Sequence, residues 1–240
     1  MLRGSDAVRI VTALVLAGGL ATGGWLMGDG LVRARQVERS VTVRGLAERD
    51  VTADLATWTL DYSVTGSDLA SEQAEIDRNT QTIMALLRRY GFRDDEITLG
   101  GTSVNQYRDQ HDVLNIAVRQ RLQLRTAKVM QAGQAFAHQA DLVRQGVALQ
   151  DGSSGIVYSF TKLNQIKPAM IAEATRDARA GAQQFARDSG AAVGGIKQAT
   201  QGYFSIGARD GSREGEGGGS GRDSPFQKVR VVTTVDFYID

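Results

Sequence analysis

Alternation of apolar and polar residues is the clearest signal along this chain. From Ala56 to Val64 apolar side chains occupy every second position, with threonine, aspartate and serine between them. Such a period of two predicts a strand with one face in a core and the other in water. The stretch from Ser40 to Glu48 predicts an earlier strand, and the two are expected to meet at a charged corner, Arg49-Asp50.

The later chain alternates predicted strands and helices. Further strands are expected over about 96–107, 114–125, 156–163, 196–206 and 229–239. Apolar spacings of three and four predict a helix at about 128–138 and two longer helices that end at Gly91 and Gly190. Glu72 is expected to be solvated. The predicted buried stripe of the first long helix is Leu69, Ile76, Thr80, Ile83, Leu87 and Tyr90. That of the second, at about 165–189, is Ile171, Ala174, Ala178, Ala182 and Phe185.

These elements predict an α+β fold with antiparallel sheets and helices packed on one side. The one-sided packing follows from strand 114–125, whose second face is polar, unless another subunit covers that face. A strand, a long helix and two strands occur once over about 56–126 and again over about 155–239. We therefore interpret the domain as a duplicated strand-helix-strand-strand unit.

The N-terminal region predicts one transmembrane helix. Ile10 to Met27 are eighteen residues without a charge, and at about 1.5 Å per residue they cover roughly 27 Å. A cleaved signal peptide is the alternative, but no Ala-x-Ala site follows, and Trp25 stands where an interfacial aromatic residue would. The predicted organisation is an N-terminal segment (1–9), an anchor or signal segment (10–27), a stalk (28–39) and a domain (40–240).

Composition excludes several classes of function. Lysine plus arginine number 28 and aspartate plus glutamate 27, giving a net charge of +1. No basic cluster is present, which argues against nucleic-acid binding. The lack of cysteine excludes disulfides, thiolate catalysis and cysteine zinc sites. Basic residues lie on both sides of the predicted anchor and leave its orientation open.

Candidate catalytic or ligand-binding residues are few. His111 and His138 are the only histidines, and no carboxylates with ligand spacing accompany them, so both are interpreted as surface residues. The acidic run Asp94-Asp95-Glu96 is interpreted as a solvated corner and not as a general acid and base. Trp58 and Tyr62 lie on the apolar side of their strand and are expected in the core. We predict no catalytic, cofactor-binding or metal-binding residues.

Two stretches rich in glycine and serine are interpreted as loops. Residues 207–225 combine these residues with mixed charges, a composition that predicts a mobile loop. They lack the Gly-Lys-Ser/Thr ending of a phosphate-binding loop. The tetrapeptide 152–155 is interpreted as a turn, since it lacks the pattern of a nucleophile elbow.

Residues 41–56 resemble the opening of the SIMPL-domain family. Its members begin with a Val-x-Gly-x-Gly/Ala-Glu strand, a short break and a Pro/Ala-Asp-x-Ala strand. Three later segments also match: the strand 98–107 ending in tyrosine, the alanine-rich helix 166–195 running into Gly-x-x-x-Gly-Gly, and Ser-Pro-Phe at 224–226. The resemblance covers about residues 38–240, with Leu46 in place of a frequent glycine and a longer glycine loop.

The resemblance implies a bacterial envelope protein. Family members are exported or held by an N-terminal anchor, which places the N-terminus in the cytoplasm and the domain in the periplasm. Some are linked to oxidative or envelope stress, and at least one resembles a ring-like, channel-forming oligomer. No established catalytic residues transfer to this chain.

We therefore expect an inner-membrane, single-pass protein with a non-enzymatic scaffolding or stress-protective role. Its expected partners are the lipid bilayer, further copies of itself and an envelope protein, with no cofactor. Three alternatives stay open: secretion to the periplasm after signal cleavage, a periplasmic binding module for a protein or small ligand, and, least favoured, an unrecognised hydrolase.

Overall fold

The computed structural model describes residues 4–36, 39–108, 110–150, 155–209 and 222–239, with only the backbone at 4–11, 13 and 30–36. The elements in chain order are α1 (Gly4–Gln36), β1 (Ser40–Thr52), β2 (Leu55–Gly66), α2 (Leu69–Arg89), a 3-10 turn (Asp94–Glu96), β3 (Ile97–Arg108), β4 (Leu114–Thr126), α3 (Val129–Ala137), α4 (Ala140–Arg144), β5 (Gly155–Ser159), α5 (Leu163–Ser189), β6 (Val193–Ala208) and β7 (Phe226–Ile239).

The strands form two sheets, which confirms the predicted α+β class. One sheet has the order β3-β4-β2-β5 and the other β1-β7-β6. In the first sheet β4 pairs antiparallel with both β2 and β3, and β5 pairs antiparallel with β2. By its internal contacts the chain divides into two compact units.

The larger unit comprises residues 48–170 and 204–230. Its core is the apolar face of β2 and β4, against which α2 and α3 pack. Trp58 and Tyr62 are fully buried there, as predicted. Asp68 caps α2, since its carboxylate accepts a hydrogen bond from the Ser71 amide at 2.9 Å. The other face of β2 and β4 carries polar side chains.

The smaller unit comprises residues 1–47, 171–203 and 231–240. In it α5 presents a stripe of buried alanines at intervals of four residues toward β1 and β7. Gly45 of β1 permits this close approach, because a Cβ there would lie 2.5 Å from the Ala178 amide nitrogen. The Leu46 amide donates a hydrogen bond to the Asp177 carboxylate at 2.9 Å. The alanine-rich sequence of α5 is therefore matched by a glycine on the facing strand.

The corner predicted at Arg49-Asp50 is wrong. β1 continues to Thr52, and β2 begins at Leu55. The turn is fixed two residues later, where the Ala53 amide donates to the Pro225 carbonyl at 2.8 Å. The Asp54 carboxylate accepts from the Thr161 amide at 2.7 Å. β1 and β2 belong to different sheets, so the chain passes from one sheet to the other at residues 53–54.

Several predicted inward positions are wrong. Leu69 begins α2 and is 42% exposed, whereas Glu72 is buried, because its carboxylate lies against the bare backbone of Gly66. Phe185 is 60% exposed, since the four-residue spacing of the alanines places it outside the stripe. The strand predicted over 156–163 ends at Ser159, and Leu163 already belongs to α5.

The predicted duplication holds for the order of elements but not for their pairing. β2-α2-β3-β4 is followed by β5-α5-β6-β7, and the long helices are followed by glycines with positive φ, 81° at Gly91 and 71° at Gly190. β5, however, pairs with β2, and β1 lies beside β7. The first strand of the second repeat has therefore been replaced in its sheet by β1.

The N-terminal prediction concerns α1. Among the described residues no helix is long and apolar enough to cross a membrane. The predicted segment 10–27 includes side chains outside the described set, at positions 10, 11 and 13. Most of the predicted glycine loop and of the tetrapeptide 152–155 also lies outside the described residues. The anchor stays a prediction.

Candidate functional site

A cleft of about 430 Å³ opens on the polar side of the four-stranded sheet. Three neighbouring strands supply most of its lining, and the segment after α4 supplies the rest. The lining residues are Asp61, Tyr62, Gly101, Ser103, Arg119, Gln120, Arg121 and Gln150. Its volume lies within the range of about 300–1,000 Å³ that is typical of small-molecule sites. Polar side chains predominate, which favours a polar ligand.

A β-bulge in β3 shapes one side of the cleft. The pairing of β3 with β4 shifts between Leu99 and Thr102, where two glycines stand. The side-chain amide of Gln120 donates to the Gly100 carbonyl at 2.7 Å, and the Thr102 hydroxyl donates to the Gln120 amide oxygen. Gln120 is only 4% exposed. This buried glutamine therefore holds the bulge in place and, with it, Ser103.

Replacing Gln120 with leucine is expected to lower the free energy of unfolding by about 1–2 kcal/mol. Leucine has a similar volume but leaves the Gly100 carbonyl without its donor. Gln123→Leu is the matched control, since Gln123 is half-buried on the polar face and lies 3.4 Å from the Thr59 hydroxyl. Urea denaturation followed by circular dichroism measures both variants. Equal losses would contradict the role assigned to Gln120.

Two arginines on β4 occupy different environments. The Arg121 guanidinium binds the Asp61 carboxylate through two contacts, Nε–Oδ1 at 2.7 Å and Nη2–Oδ2 at 3.2 Å. This hydrogen-bonded carboxylate raises the pKa of Arg121. Within the described part of the chain, the Arg119 guanidinium has no hydrogen-bonded or ion-paired partner. Its neighbours across the sheet are Ser63 on β2 and Ser103 on β3.

The wall opposite β3 is formed by the segment that carries Gln150. This segment continues the edge of β2, because the Ser63 amide donates to the Ala148 carbonyl at 3.2 Å and the Gln150 amide donates to the Asp61 carbonyl at 2.8 Å. The Gln150 side chain donates to the Ser63 hydroxyl at 2.7 Å. The cleft is thus framed by hydrogen-bonded backbone on both sides.

The groups that line the cleft are suited to binding. Arginine is a donor and stays protonated at physiological pH, and the Ser103 hydroxyl both donates and accepts. His111 and His138, the two histidines that could serve as bases, do not line the cleft. His138 instead lies in contact with Gln134 and Tyr90. Among the described residues no group of three or more His, Cys, Asp or Glu could hold a metal ion.

The acidic residues Asp94, Asp95 and Glu96 form contacts that stabilise the local structure. Asp94 binds Arg88 through two hydrogen bonds of 2.8 Å, and Asp95 pairs with Arg93. Glu96 accepts from the Arg93 amide at 2.8 Å, and its ion pair with Lys128 spans 3.4 Å. These contacts fix the turn between α2 and β3.

The pH dependence of stability is expected to report on Glu96. Burial alone would raise its pKa, but the bonds from the Arg93 amide and the Thr126 hydroxyl, with the Lys128 charge, outweigh burial and hold the pKa below its ordinary value. Glu96 therefore contributes its full stabilisation at pH values above its pKa in the unfolded chain. This stabilisation is lost as the pH falls through the lower pKa that Glu96 has in the folded chain.

Urea midpoints between pH 6 and pH 3 measure this loss. Glu96→Gln is expected to flatten the acid limb of the curve, because glutamine has no proton to gain. Asp95→Asn is the control, since the Asp95 side chain is 63% exposed and pairs with Arg93 at the surface. An acid limb unchanged in Glu96→Gln would contradict the assignment.

The SIMPL family model, described as a protein of unknown function (DUF541), matches residues 41–237. The chain belongs to the SIMPL family. The match spans β1 to β7 and includes every lining residue of the cleft. The chain has no match among curated proteins. Membership in this family confirms the resemblance and assigns no molecular activity.

None of the lining residues was predicted from the sequence to form a functional site. A signal for the cleft was nevertheless present, because Asp61, Arg119 and Arg121 all fall on the polar faces of their strands. The pairing of β2 with β4 places Asp61 opposite Arg121 and Ser63 opposite Arg119. That register cannot be read from alternation alone.

Proposed function

We propose that this SIMPL-family protein is a membrane-anchored envelope protein with a non-enzymatic scaffolding or stress-protective role. In this proposal α1 holds the protein in the inner membrane and the family domain faces the periplasm. The observation that carries it is the exposure of apolar side chains on α1. The exposed fraction is above 60% for each of Leu14, Val15, Leu16, Leu20, Trp25, Leu26 and Met27. A helix that is apolar around its circumference needs a lipid or protein cover.

Membrane extraction of the full chain tests the anchor. We expect the protein to stay with the membrane pellet after an alkaline carbonate wash. Leu20→Arg is expected to shift it toward the supernatant, because an arginine near the centre of a spanning helix costs about 2.5–3.5 kcal/mol. Phe185→Arg is the matched control, since Phe185 is also an exposed apolar residue. Release of the unmodified chain by carbonate would overturn the proposal.

We also propose that the domain associates with further copies of itself. The outer strand β3 supports this, because residues 98–108 are exposed along it, including Leu99 and Val104. A long edge strand with apolar side chains is a template for pairing. Light scattering of the full chain in detergent is expected to give one discrete oligomer over a range of concentrations. A monomer at every concentration would overturn this part.

A second candidate function is a binding module for a small ligand. The observation that favours it is the cleft on the polar sheet face, with an arginine whose charge no described residue pairs. This function is compatible with an anchor and needs no catalytic group.

A further inference from the structure

We propose that the cleft binds the carboxylate group of a small molecule or of a peptide C-terminus, and that Arg119 is the residue that holds it. This inference rests on the second candidate function, the binding module. It is independent of the anchor and of self-association.

Charge in the cleft is the first argument. The charged lining side chains are the two guanidinium groups of Arg119 and Arg121 and the carboxylate of Asp61. Asp61 and Arg121 neutralise each other through their paired contacts of 2.7 and 3.2 Å. Among the described lining residues one positive charge remains, on Arg119. A ligand group with a single negative charge complements it.

Hydrogen-bonding capacity around Arg119 is the second argument. Its cross-strand neighbours are Ser63 and Ser103. The Ser63 hydroxyl accepts the Gln150 amide proton at 2.7 Å, so its own proton is left to donate. Ser103 lines the cleft directly. A guanidinium group binds a carboxylate through two parallel N–H donors, and hydroxyl donors beside it supply the remaining bonds of the carboxylate oxygens.

Rigidity of the support is the third argument. Arg119 projects from β4, which is hydrogen-bonded to β2 on one side and to β3 on the other. Gln120, the next residue, ties β4 to the bulge of β3 through its bond to the Gly100 carbonyl. The backbone that carries Arg119 is therefore fixed before a ligand arrives, which lowers the entropic cost of binding.

The choice of a carboxylate over a phosphate follows from charge and size. A phosphate monoester carries nearly two negative charges at neutral pH, which exceeds the single unpaired charge of the cleft. The cleft has a volume of about 430 Å³ and admits a ligand much larger than a single ion, so atoms attached to the carboxylate also fit. Nucleic acid needs clustered lysine and arginine, which the near-neutral composition does not supply.

Saturation-transfer NMR on the purified full chain tests the proposal with four probes. Acetate and N-acetyl-trialanine carry a carboxylate, and acetamide and the C-terminal amide of N-acetyl-trialanine are their uncharged counterparts. Signals are expected from the acids and not from the amides. Signals from both acids would indicate that any small carboxylate binds, and signals from the peptide acid alone would indicate a chain terminus; either supports the proposal. Equal signals from acids and amides, or none from any probe, would overturn it.

Variants then assign the binding to Arg119. Arg119→Gln is expected to weaken binding of the responsive acid at least about tenfold, with Arg119→Lys intermediate because it keeps the charge but loses the paired donors. Arg125→Gln is the matched control, since Arg125 lies on the same face of the same strand opposite Thr57 and outside the cleft. Its binding is expected to stay within about twofold of the unmodified chain.

Three outcomes overturn the assignment. Unchanged binding in Arg119→Gln would show that Arg119 does not hold the ligand, while leaving the binding-module function in place. Equal loss in Arg125→Gln would show a diffuse effect of charge. The third outcome is displacement of the acids by inorganic phosphate at concentrations lower than those at which the acids themselves bind. That result would show that phosphate, and not a carboxylate, is the preferred ligand class.

Discussion

Gly45→Val is expected to lower the free energy of unfolding by about 3 kcal/mol or more. A Cβ at this position would overlap the Ala174 carbonyl oxygen and lie 2.5 Å from the Ala178 amide nitrogen. Both are backbone atoms of α5, so no side-chain rotation relieves the overlap. Strand and helix must separate, which breaks the hydrogen bond from the Leu46 amide to Asp177. Urea denaturation of the full chain, followed by circular dichroism, measures the loss.

Gly195→Val is the control for this prediction. Gly195 also belongs to a strand of the smaller unit, and a Cβ there would meet no atom within 4 Å. Its free energy of unfolding is expected to change by less than about 0.5 kcal/mol. Comparable losses in both variants would show that glycine is required for reasons other than close packing at Gly45.

Local pattern predicted the elements because burial imposes a period on the sequence. The alternation in β4 places Val118, Leu122 and Leu124 in the core, as the structure confirms. Where a buried residue was polar, the pattern failed. Glu72 is buried because Gly66 leaves space for its carboxylate, and that space belongs to a different element. A helical wheel contains no information about it.

Pairing between distant strands is the part that alternation cannot supply. β1 and β7 lie side by side although the whole domain separates them in sequence. A strict repeat of the first unit would instead place β5 beside β7. The cleft depends on the same kind of information, since Asp61 meets Arg121 only in one register of β2 and β4. A shift of two residues would instead pair Asp61 with Arg119 and leave Arg121 unpaired.

Trp58→Ala is expected to lower the free energy of unfolding by about 3–5 kcal/mol. The Trp58 side chain is fully buried in the larger unit. Its ring meets that of Phe136 edge to face, with the centroids 5.6 Å apart. Removing it leaves a cavity between β2 and α3 that the paired strands cannot close. Urea denaturation measures the loss, and the fluorescence of the unmodified chain follows the same transition.

Trp58→Phe separates the hydrophobic contribution of this residue from its polar atom. Among the described residues the Trp58 Nε1 proton has no hydrogen-bond acceptor, and such a buried donor costs about 1–3 kcal/mol. Phenylalanine removes that cost, keeps most of the contact with Phe136 and leaves a smaller cavity. Its expected loss is therefore less than half that of Trp58→Ala. Equal losses in the two variants would contradict this, because the indole N–H would then be contributing to stability.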